Sequence, residues 1–480
     1  MRQLIKKLPF PIRQSCKYAY SIIPPHIRYG KVFRETYSFL QESQWWSKER
    51  LEEYQMQQLS KLLDHAYKNV PYYHRVFDER GLKPSDIKDF DDLTKLPYLT
   101  KDIIREHLSD LTAKNYKKSK LILESTSGTS GRQLEFYADK SVALKEMAFI
   151  WRQWNWAGYK FGDKKVILRG NTVKRYKKGI HQWWKYSPKD KALVLSSFDM
   201  TYENLFKYIE KIKQFKPVVI EGIPSCLMVL VDFMKKEQVK FDGIKCVHTS
   251  SETLDKYQRE KIEEIFRAKV GEHYGHNEKS ALVMECEQGS YHIIMEYGFL
   301  ELIKSNNDQV CKDGERGEIV CTGFNNFVVP FIRYRTGDIG VYKEGTCSCG
   351  RNFAMLNRIE GRIFDYFVSF NNMLIPSVGI YGGLLRKTSN DIDRAQFYQE
   401  VKGNIILRIV KKPGYTDDDT LKLYAALKKR FKNELSFKIE FVEDIPRTKS
   451  GKYKYIIQKL PIEFSKSSFV QSKINNMDIL

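Results

Sequence analysis

Three separate segments of the chain carry polar residues whose types and spacing suit binding or catalysis. They are residues 125–132, 274–278 and 333–338. The first reads Ser-Thr-Ser-Gly-Thr-Ser-Gly-Arg, and a loop of this composition offers hydroxyls and unhindered backbone N–H groups, which suit phosphate. It is not the loop of P-loop NTPases, because no lysine follows Gly131 and its flanks indicate two strands. Taken alone, the segment could equally be a flexible linker.

Two carboxylates and one lysine have side chains that suit a hard cation, hydroxyl groups and an anion. Glu278 supplies the oxygen ligands that Mg²⁺ prefers, and an ionised Asp338 could accept two hydroxyl protons. Lys452, in the basic segment 446–452, could stabilise negative charge that develops in a transition state. Each segment, taken by itself, has a simpler interpretation as a surface loop or a turn at a strand end.

Three thiols and one imidazole form a second candidate site. Cys286, His292, Cys347 and Cys349 together offer the ligand set of a closed tetrahedral zinc site. The single residue between Cys347 and Cys349 is a tighter spacing than usual, so a set of unrelated free cysteines stays an alternative.

Alternating strands and helices between about residues 203 and 275 must position these groups. Apolar strands near 217–220, 245–248 and 269–270 alternate with helices, which predicts a parallel sheet with right-handed crossovers. Polar segments 221–225, 249–252 and 274–278 follow the strands, and the carboxyl ends of parallel strands meet at one edge. Residues 142–160 predict an aromatic helix that packs in the core.

Length and composition limit the classes of protein. A chain of 480 residues predicts two or more domains, and no stretch of 18 apolar residues is present. Eight cysteines are too few for a disulfide scaffold and fit a reducing cytosol, and no signal-peptide pattern is present. The net charge of +22 indicates an anionic partner, without distinguishing nucleic acid, lipid and substrate.

The first 48 residues carry eight lysines and arginines before Glu35. Such a segment could lie on an anionic membrane surface, or it could pack on the body of the protein. Its prolines exclude one long amphipathic helix, which favours packing on the body.

The segments, taken in order, resemble the motifs of the adenylate-forming superfamily over roughly residues 50–460. The Cys-x-Cys-Gly-Arg string at 347–351 is similar to the phenylacetate–CoA ligase-like branch, which includes CapK-type proteins and has a structural zinc site of this kind. Two departures are that Asn277 stands where threonine is usual, and that Phe364 stands where the hinge aspartate is usual, with Asp365 next. The hinge residue is therefore not identified.

The resemblance implies a role for each motif residue. The residues that would bind phosphate are Ser127, Gly128, Thr129, Ser130 and Gly131. Adenine contacts fall to Tyr274 and Gly275, with Ser251 and Glu252 bordering the ring, while Asp338 holds the ribose and Arg362 supports the nucleotide. Glu278 binds Mg²⁺, and Lys452 approaches the α-phosphate and the substrate carboxylate.

The fold implied is a large α/β N-terminal domain with a smaller α+β C-terminal domain. We expect a basic arm and helices leading into the main domain at 1–100, a nucleotide- and acyl-binding α/β domain at 101–361, a mobile domain at 362–460 and a polar tail at 461–480. The residue pattern predicts the small domain independently of the resemblance. It indicates strands within 397–410 and at 438–443, with a helix near 418–434 between them.

The function implied is ATP-dependent adenylation of a carboxylic acid, with Mg²⁺ and a structural Zn²⁺. The acyl group of acyl-AMP then passes to CoA, an amine or a sugar hydroxyl, in surface or capsular polysaccharide biosynthesis. An aryl- or acyl-CoA ligase is one alternative, and a non-catalytic nucleotide- or polyanion-binding protein is another. We expect a cytoplasmic protein, peripheral at the inner face of the membrane if the basic arm binds lipid, with no nucleic-acid partner.

Overall fold

A computed structural model of the chain provides the structure. It describes residues 12, 15, 19, 23, 25–126, 134–169, 173, 183–197, 199–304, 309–362, 366–371, 374–376, 384–385, 388–389, 391–446 and 454–460.

Helices dominate the N-terminal part. They are α1 (Pro25–Arg28), α2 (Lys31–Ser43), α3 (Lys48–Asn69), α4 (Pro71–Glu79) and α5 (Lys101–His107). The side chain of Ser47 caps α3 by accepting a hydrogen bond from the Arg50 N–H. The helix ends at Val70 because a residue that precedes proline avoids the α conformation, and Pro71 then occupies the first turn of α4.

A hairpin, an aromatic helix and an alternating α/β segment come next in the chain. In order they are β1 (Ile122–Ser125), β2 (Glu135–Ala138), α6 (Lys140–Trp156), β3 (Lys165–Leu168), β4 (Trp184–Ser187), β5 (Ala192–Leu195), α7 (Tyr202–Phe215), β6 (Val219–Gly222), α8 (Pro224–Lys236), β7 (Cys246–Thr249), α9 (Lys256–Phe266) and β8 (Lys269–Gly275). Strands β5, β3, β6, β7 and β8 are mutually parallel, and the alternating pattern predicts three of them, β6, β7 and β8. Helices α7, α8 and α9 bury their apolar faces on one side of these strands, in a core that includes Val166, Ile220 and Val247.

Antiparallel strands extend the same sheet. They are β9 (Leu282–Glu285), β10 (Tyr291–Ile293), β11 (Gly298–Ile303), β12 (Arg316–Gly323), β13 (Tyr334–Lys343) and β14 (Met355–Arg362). Within the described residues the sheet has 12 strands in the order β11-β12-β13-β14-β10-β9-β8-β7-β6-β3-β5-β4. Strand β14 therefore lies between β13, its neighbour in sequence, and β10, which precedes it by roughly 60 residues.

The N-terminal helix α2 is part of this body. Phe33 and Leu40 of α2 are buried in a core shared with α6. Arg152 of α6 is fully buried, and its guanidinium contacts Glu296 at 2.6 and 3.3 Å. Ser43, at the end of α2, donates its hydroxyl to the same carboxylate at 2.7 Å. One buried ion pair thus joins α2, α6 and the segment after β10, and packing of residues 31–43 on the body agrees with the favoured interpretation.

The C-terminal part has a separate core. It contains β15 (Tyr366–Val368), β16 (Leu374–Pro376), β17 (Ile392–Val401), β18 (Asn404–Lys411), α10 (Asp417–Phe431), β19 (Ser436–Phe441) and β20 (Ile456–Gln458). The last four strands form a sheet of order β19-β18-β17-β20, and α10 packs on it through Leu423, Leu427 and Phe431. A large α/β domain followed by a smaller α+β domain is therefore confirmed, while the domain boundaries stay predictions. No helix in the described ranges is both long and apolar enough to span a lipid bilayer.

Candidate active site

Two predicted nucleotide-binding residues meet at the end of β8. The Tyr274 hydroxyl donates a hydrogen bond to Asp338 Oδ2 at 2.8 Å, although 64 residues separate them. Burial, then the charge of Asp338, raises the pKa of Tyr274 well above its usual value, so the hydroxyl keeps its proton and remains a donor. Gly275 follows within β8, and its backbone lies against Leu282. Asp338 faces the backbone of Arg362 across the β13–β14 pair.

The turn that presents Asp338 is built by its own motif. The Thr336 hydroxyl donates to the carbonyl of Ile319 at 2.8 Å and accepts from the Asp338 N–H at 3.0 Å. Gly337 has φ +78°, a conformation that L side chains rarely adopt. Glycine is therefore required there, and the threonine fixes the aspartate backbone.

The carboxylate predicted to bind Mg²⁺ is buried and doubly contacted. Glu278 Oε1 accepts the hydroxyl of Tyr334 at 2.6 Å, and Oε2 lies 3.2 Å from Nδ1 of His276. Burial opposes ionisation of Glu278, but His276 and the Tyr334 hydroxyl outweigh it and lower its pKa to about 2. Burial likewise opposes charging of His276, yet Glu278 raises its pKa to about 10. At neutral pH the pair is a carboxylate and an imidazolium.

Asn277 links this cluster to the serine-, threonine- and glycine-rich segment. Its side-chain amide donates to the carbonyl of Ser125 at 2.5 Å. Two hydrogen bonds join the ends of this segment. The Thr126 N–H donates to the Leu134 carbonyl, and the Leu134 N–H donates to the Thr126 hydroxyl. The segment thus leaves the body beside Glu278. The loop residues Ser127, Gly128, Thr129, Ser130 and Gly131 lie outside the described residues, as does Lys452, and of Arg362 only the backbone is described.

Glu252 accepts hydrogen bonds at the N-terminus of helix α8. Its carboxylate accepts from the Ser225 N–H and from the Ser225 hydroxyl, both at 3.0 Å, at the start of α8. An anionic acceptor at a helix N-terminus is favourable. Ser251 next to it has φ +75° and is exposed at the edge where the parallel strands end. Glu252 therefore fixes the loop after β7 against the start of α8.

The four predicted zinc ligands converge. The ligand atoms of Cys286, His292, Cys347 and Cys349 all lie within 4.8 Å of one another. The Cys286 and Cys347 sulfurs are 3.7 Å apart, and the Cys349 sulfur is 3.3 Å from Nε2 of His292. A tetrahedral ion with Zn–S bonds of about 2.3 Å requires sulfur–sulfur edges of about 3.8 Å. The cluster thus has the dimensions of a metal site.

Two glycine turns shape the cluster. The Gly289 N–H bonds the Cys286 carbonyl at 2.9 Å, and the Gly350 N–H bonds the Cys347 carbonyl at 3.1 Å. Both glycines have φ +80°, which lets each turn fold tightly around its cysteine sulfur. His292 comes from β10, and so the cluster joins the β9–β10 turn to the loop before β14.

Arg351 fixes the loop that carries two of the ligands. Its guanidinium lies 4.2 Å from the ring centre of Trp156 and 5.0 Å from that of Trp45, and it contacts Glu287 at 2.9 Å. Stacking of this kind suits the planar guanidinium group. The cluster is thereby packed against α6 and the N-terminal helices.

A row of polar side chains lies under α6, and of its members the sequence indicated Glu221, in segment 221–225, but not the histidines. Glu221 is buried and contacts Lys165 Nζ at 2.9 Å and Arg169 Nη1 at 2.7 Å. Beside it on the next two strands lie His248 and His273. Single histidines within apolar strand patterns give no signal in a sequence, because most such residues are ordinary core residues.

The comparisons with known proteins agree with this architecture. The CapK C-terminal domain model matches residues 372–459. Protein CapK of Staphylococcus aureus is 26% identical over 438 residues, which cover 90% of this chain and 94% of CapK. Phenylacetate–coenzyme A ligase of Escherichia coli (strain K12) is 27% identical over 339 residues, 69% of this chain and 75% of that enzyme.

A solved structure shares the fold. The crystal structure of 2-hydroxyisobutyryl-CoA ligase in the postadenylation state, in complex with R3-HIB-AMP, superimposes with a TM-score of 0.68 at 18% identity, covering 87% of this chain and 93% of that one. Likeness at this identity establishes the fold alone. With the relatives above, it confirms both the predicted fold class and the predicted resemblance.

Proposed function

We propose that this chain, an adenylate-forming ligase related to CapK and the phenylacetate–coenzyme A ligases, activates a carboxylic acid as acyl-AMP and passes the acyl group to an acceptor. In the first step a carboxylate oxygen attacks the α-phosphorus of ATP and pyrophosphate leaves. In the second, an acceptor nucleophile attacks the acyl carbon and AMP leaves. Charge stabilisation and positioning supply most of the catalysis in such a reaction.

The observation that carries the proposal is the meeting of Tyr274, Asp338 and Glu278 at the end of one strand. The Tyr274 ring offers a face for adenine, and the Asp338 carboxylate offers acceptors for ribose hydroxyls. Gly275 lets the nucleotide approach the backbone, and Ser251 with Glu252 borders it on the neighbouring loop. The remaining roles follow the resemblance, with the loop 127–131 on the phosphates, Arg362 at the nucleotide and Lys452 at the reacting carboxylate.

Glu278 fits Mg²⁺. It is ionised at neutral pH, and each carboxylate oxygen has two lone pairs, so Tyr334 and His276 do not exhaust its acceptor capacity. Bound Mg²⁺ would neutralise phosphate charge. The contacts with Tyr334 and His276 fix the orientation of the carboxylate.

Zinc is the metal that we propose for Cys286, His292, Cys347 and Cys349. Three sulfurs and one imidazole nitrogen favour zinc among the common divalent ions. The four ligands close the tetrahedron, so the role is structural, and the ion would tie the loop before β14 to β10.

The biological role that we favour is surface or capsular polysaccharide biosynthesis, with a sugar hydroxyl, an amine or CoA as the acceptor. Similarity to CapK spans 90% of the chain, whereas similarity to phenylacetate–coenzyme A ligase of Escherichia coli spans 69%. The second candidate is a CoA ligase of that type. We place the protein in the cytoplasm, with residues 1–24 as a contact to anionic lipid at the inner membrane face.

ATP–pyrophosphate exchange with a panel of carboxylic acids tests the proposal. We expect exchange that depends on one class of acid and on Mg²⁺. Asp338→Ala should weaken ATP binding strongly, while Asp242→Ala, at a side chain that is 92% exposed, should not. Tight ATP binding without exchange for any acid would support the non-catalytic alternative instead.

A further inference from the structure

The polar row under α6 lies on one face of the parallel strands. Glu221 of β6 pairs in register with His248 of β7, and His248 pairs with Gly271 of β8. Side chains alternate along a strand, so His273 shares the face of Gly271, while Tyr274 points to the opposite face. Glu221, His248 and His273 therefore form a continuous row across three strands.

Three ring nitrogens of this row have no hydrogen-bond partner in the described part of the chain. Both nitrogens of His248 and Nδ1 of His273 are shielded from solvent, and His248 is only 2% exposed. Most buried polar atoms in proteins are paired, so unpaired ones call for an explanation. A bound molecule with hydrogen-bonding groups would give these two side chains a partner.

Both histidines are neutral at neutral pH. Burial lowers the pKa of His248 to about 4 and that of His273 to about 3. Each neutral ring offers one N–H donor and one acceptor nitrogen. The row therefore matches hydroxyl or carbonyl groups on a ligand.

The row reaches the same edge of the sheet as the proposed nucleotide-binding residues. His273 directly precedes Tyr274, and Arg169, which pairs with Glu221, donates to the Ser251 hydroxyl at 3.3 Å. An acyl group bonded to the α-phosphate of AMP must start at the nucleotide and extend away from it. Trp154 of α6 covers the row, with its ring centre 6.3 Å from that of His248 and 3.7 Å from Lys165 Nζ.

We propose that the acid activated by this protein carries hydroxyl or carbonyl groups along its acyl chain, and that His248 and His273 select it by hydrogen bonding to them. The inference rests on the proposed function, since it assumes that the row lies beside an acyl-AMP. A plain alkyl or aryl acid would leave the two histidines without a hydrogen-bond partner, and a site built for hydrogen bonding rejects such an analogue strongly.

Binding of acyl sulfamoyladenosines, which are stable mimics of acyl-AMP, tests the inference without turnover. Matched pairs differ by one hydroxyl: phenylacetyl and mandelyl, butanoyl and 3-hydroxybutanoyl, pentanoyl and 4-hydroxypentanoyl. We expect at least one hydroxylated member to bind more tightly than its partner by at least about 10²-fold in Kd. Equal or weaker binding of all three hydroxylated members would overturn the inference and leave the proposed function intact. If no acyl sulfamoyladenosine binds, both are wrong.

Variants of His248 and His273 distinguish selection from a general effect on the fold. His248→Leu and His273→Leu should each remove the preference for the hydroxylated member without weakening the other member. His248→Asn keeps a donor and an acceptor and should retain part of the preference. His74→Leu, at an exposed histidine of α4, is the control and should retain all of it. An unchanged preference in folded His248→Leu and His273→Leu would contradict the proposal.

Discussion

Replacing Glu278 by glutamine should remove the partner that keeps His276 charged. The two side chains lie 3.2 Å apart and are only 6% and 9% exposed, so water screens the pair little. The amide still accepts the Tyr334 hydroxyl but carries no charge. Burial then opposes protonation of His276 against the contact with Cys321 only, and the pKa of His276 should fall from about 10 toward its usual value.

The magnitude follows from the two shifts. The pKa of His276 rises from 6.5 to about 10 and that of Glu278 falls from 4.5 to about 2, which corresponds to about 3–5 kcal/mol for one shared interaction. A buried ion pair that loses one partner typically costs about the same. The raised His276 pKa stabilises the fold below pH 6.5, and this contribution is lost as the pH rises toward 10. The lowered Glu278 pKa stabilises it above pH 4.5, and this is lost as the pH falls toward 2. The difference between the two proteins should thus be largest between pH 4.5 and 6.5.

Equilibrium urea unfolding at pH 5.5, 7.5 and 9.5 measures this difference, and NMR of the His276 ring reports its protonation. Glu35→Gln, which removes an exposed partner of Lys31, is the control and should change the free energy of unfolding little at any pH. A difference between wild type and Glu278→Gln that does not vary with pH would refute the coupling between the two side chains. So would a His276 ring that stays protonated at pH 8 in the variant.

Four further predictions concern other parts of the chain. Lys452→Ala should slow acyl-AMP formation by about 10²–10³ yet spare acyl transfer from supplied acyl-AMP, and equal loss of both half-reactions would instead indicate a role in folding. Metal analysis should find about one zinc per chain, and Cys347→Ser should lose it and lower the Tm more than it changes turnover; a zinc-free wild type would exclude the site. Deleting residues 1–24 should abolish salt-sensitive binding to anionic liposomes and leave exchange intact, whereas equal binding would rule out lipid contact. Burial, with the charge of Glu285, raises the pKa of Glu272 to about 7. The free energy of unfolding should therefore fall as the pH rises from 4.5 to 7. Urea unfolding over this range should show a smaller fall in Glu272→Gln than in the wild type.

The alternating strands and helices could be predicted because their signals are local. The helix predicted between the strands near 245–248 and 269–270 is observed at Lys256–Phe266, and Asp255 and Gln258 close a capping box at its start. The strand pattern near 245–248 is observed at Cys246–Thr249. Apolar periodicity and caps act within a few residues, and a sequence displays them directly.

The partners inside the candidate site could not be predicted, because they depend on contacts between distant strands. Nothing in the spacing indicates that the Tyr334 hydroxyl would reach Glu278, or that His276 would be the counter-charge. Asn277 departs from the expected threonine, and only the structure gives it a partner, the carbonyl of Ser125. The four Cys and His residues of the proposed metal site, by contrast, could be predicted to lie together. Three thiols and an imidazole are an uncommon combination, and their residue types alone indicate a shared metal site.

The position of β14 in the sheet governs the order in which the chain can fold. Strands β3 and β5 to β8 join through short crossovers, so this half can form soon after its residues are synthesised. Pairing of β10 with β14 must instead close a loop of roughly 60 residues, which is entropically slow. Until it closes, β10 presents an unpaired edge, and such edges recruit other chains into aggregates. Because the Cys/His cluster spans this same junction, metal captured there would hold the two strands together. The metal content of the growth medium would then set the yield of folded protein before it affected any reaction rate.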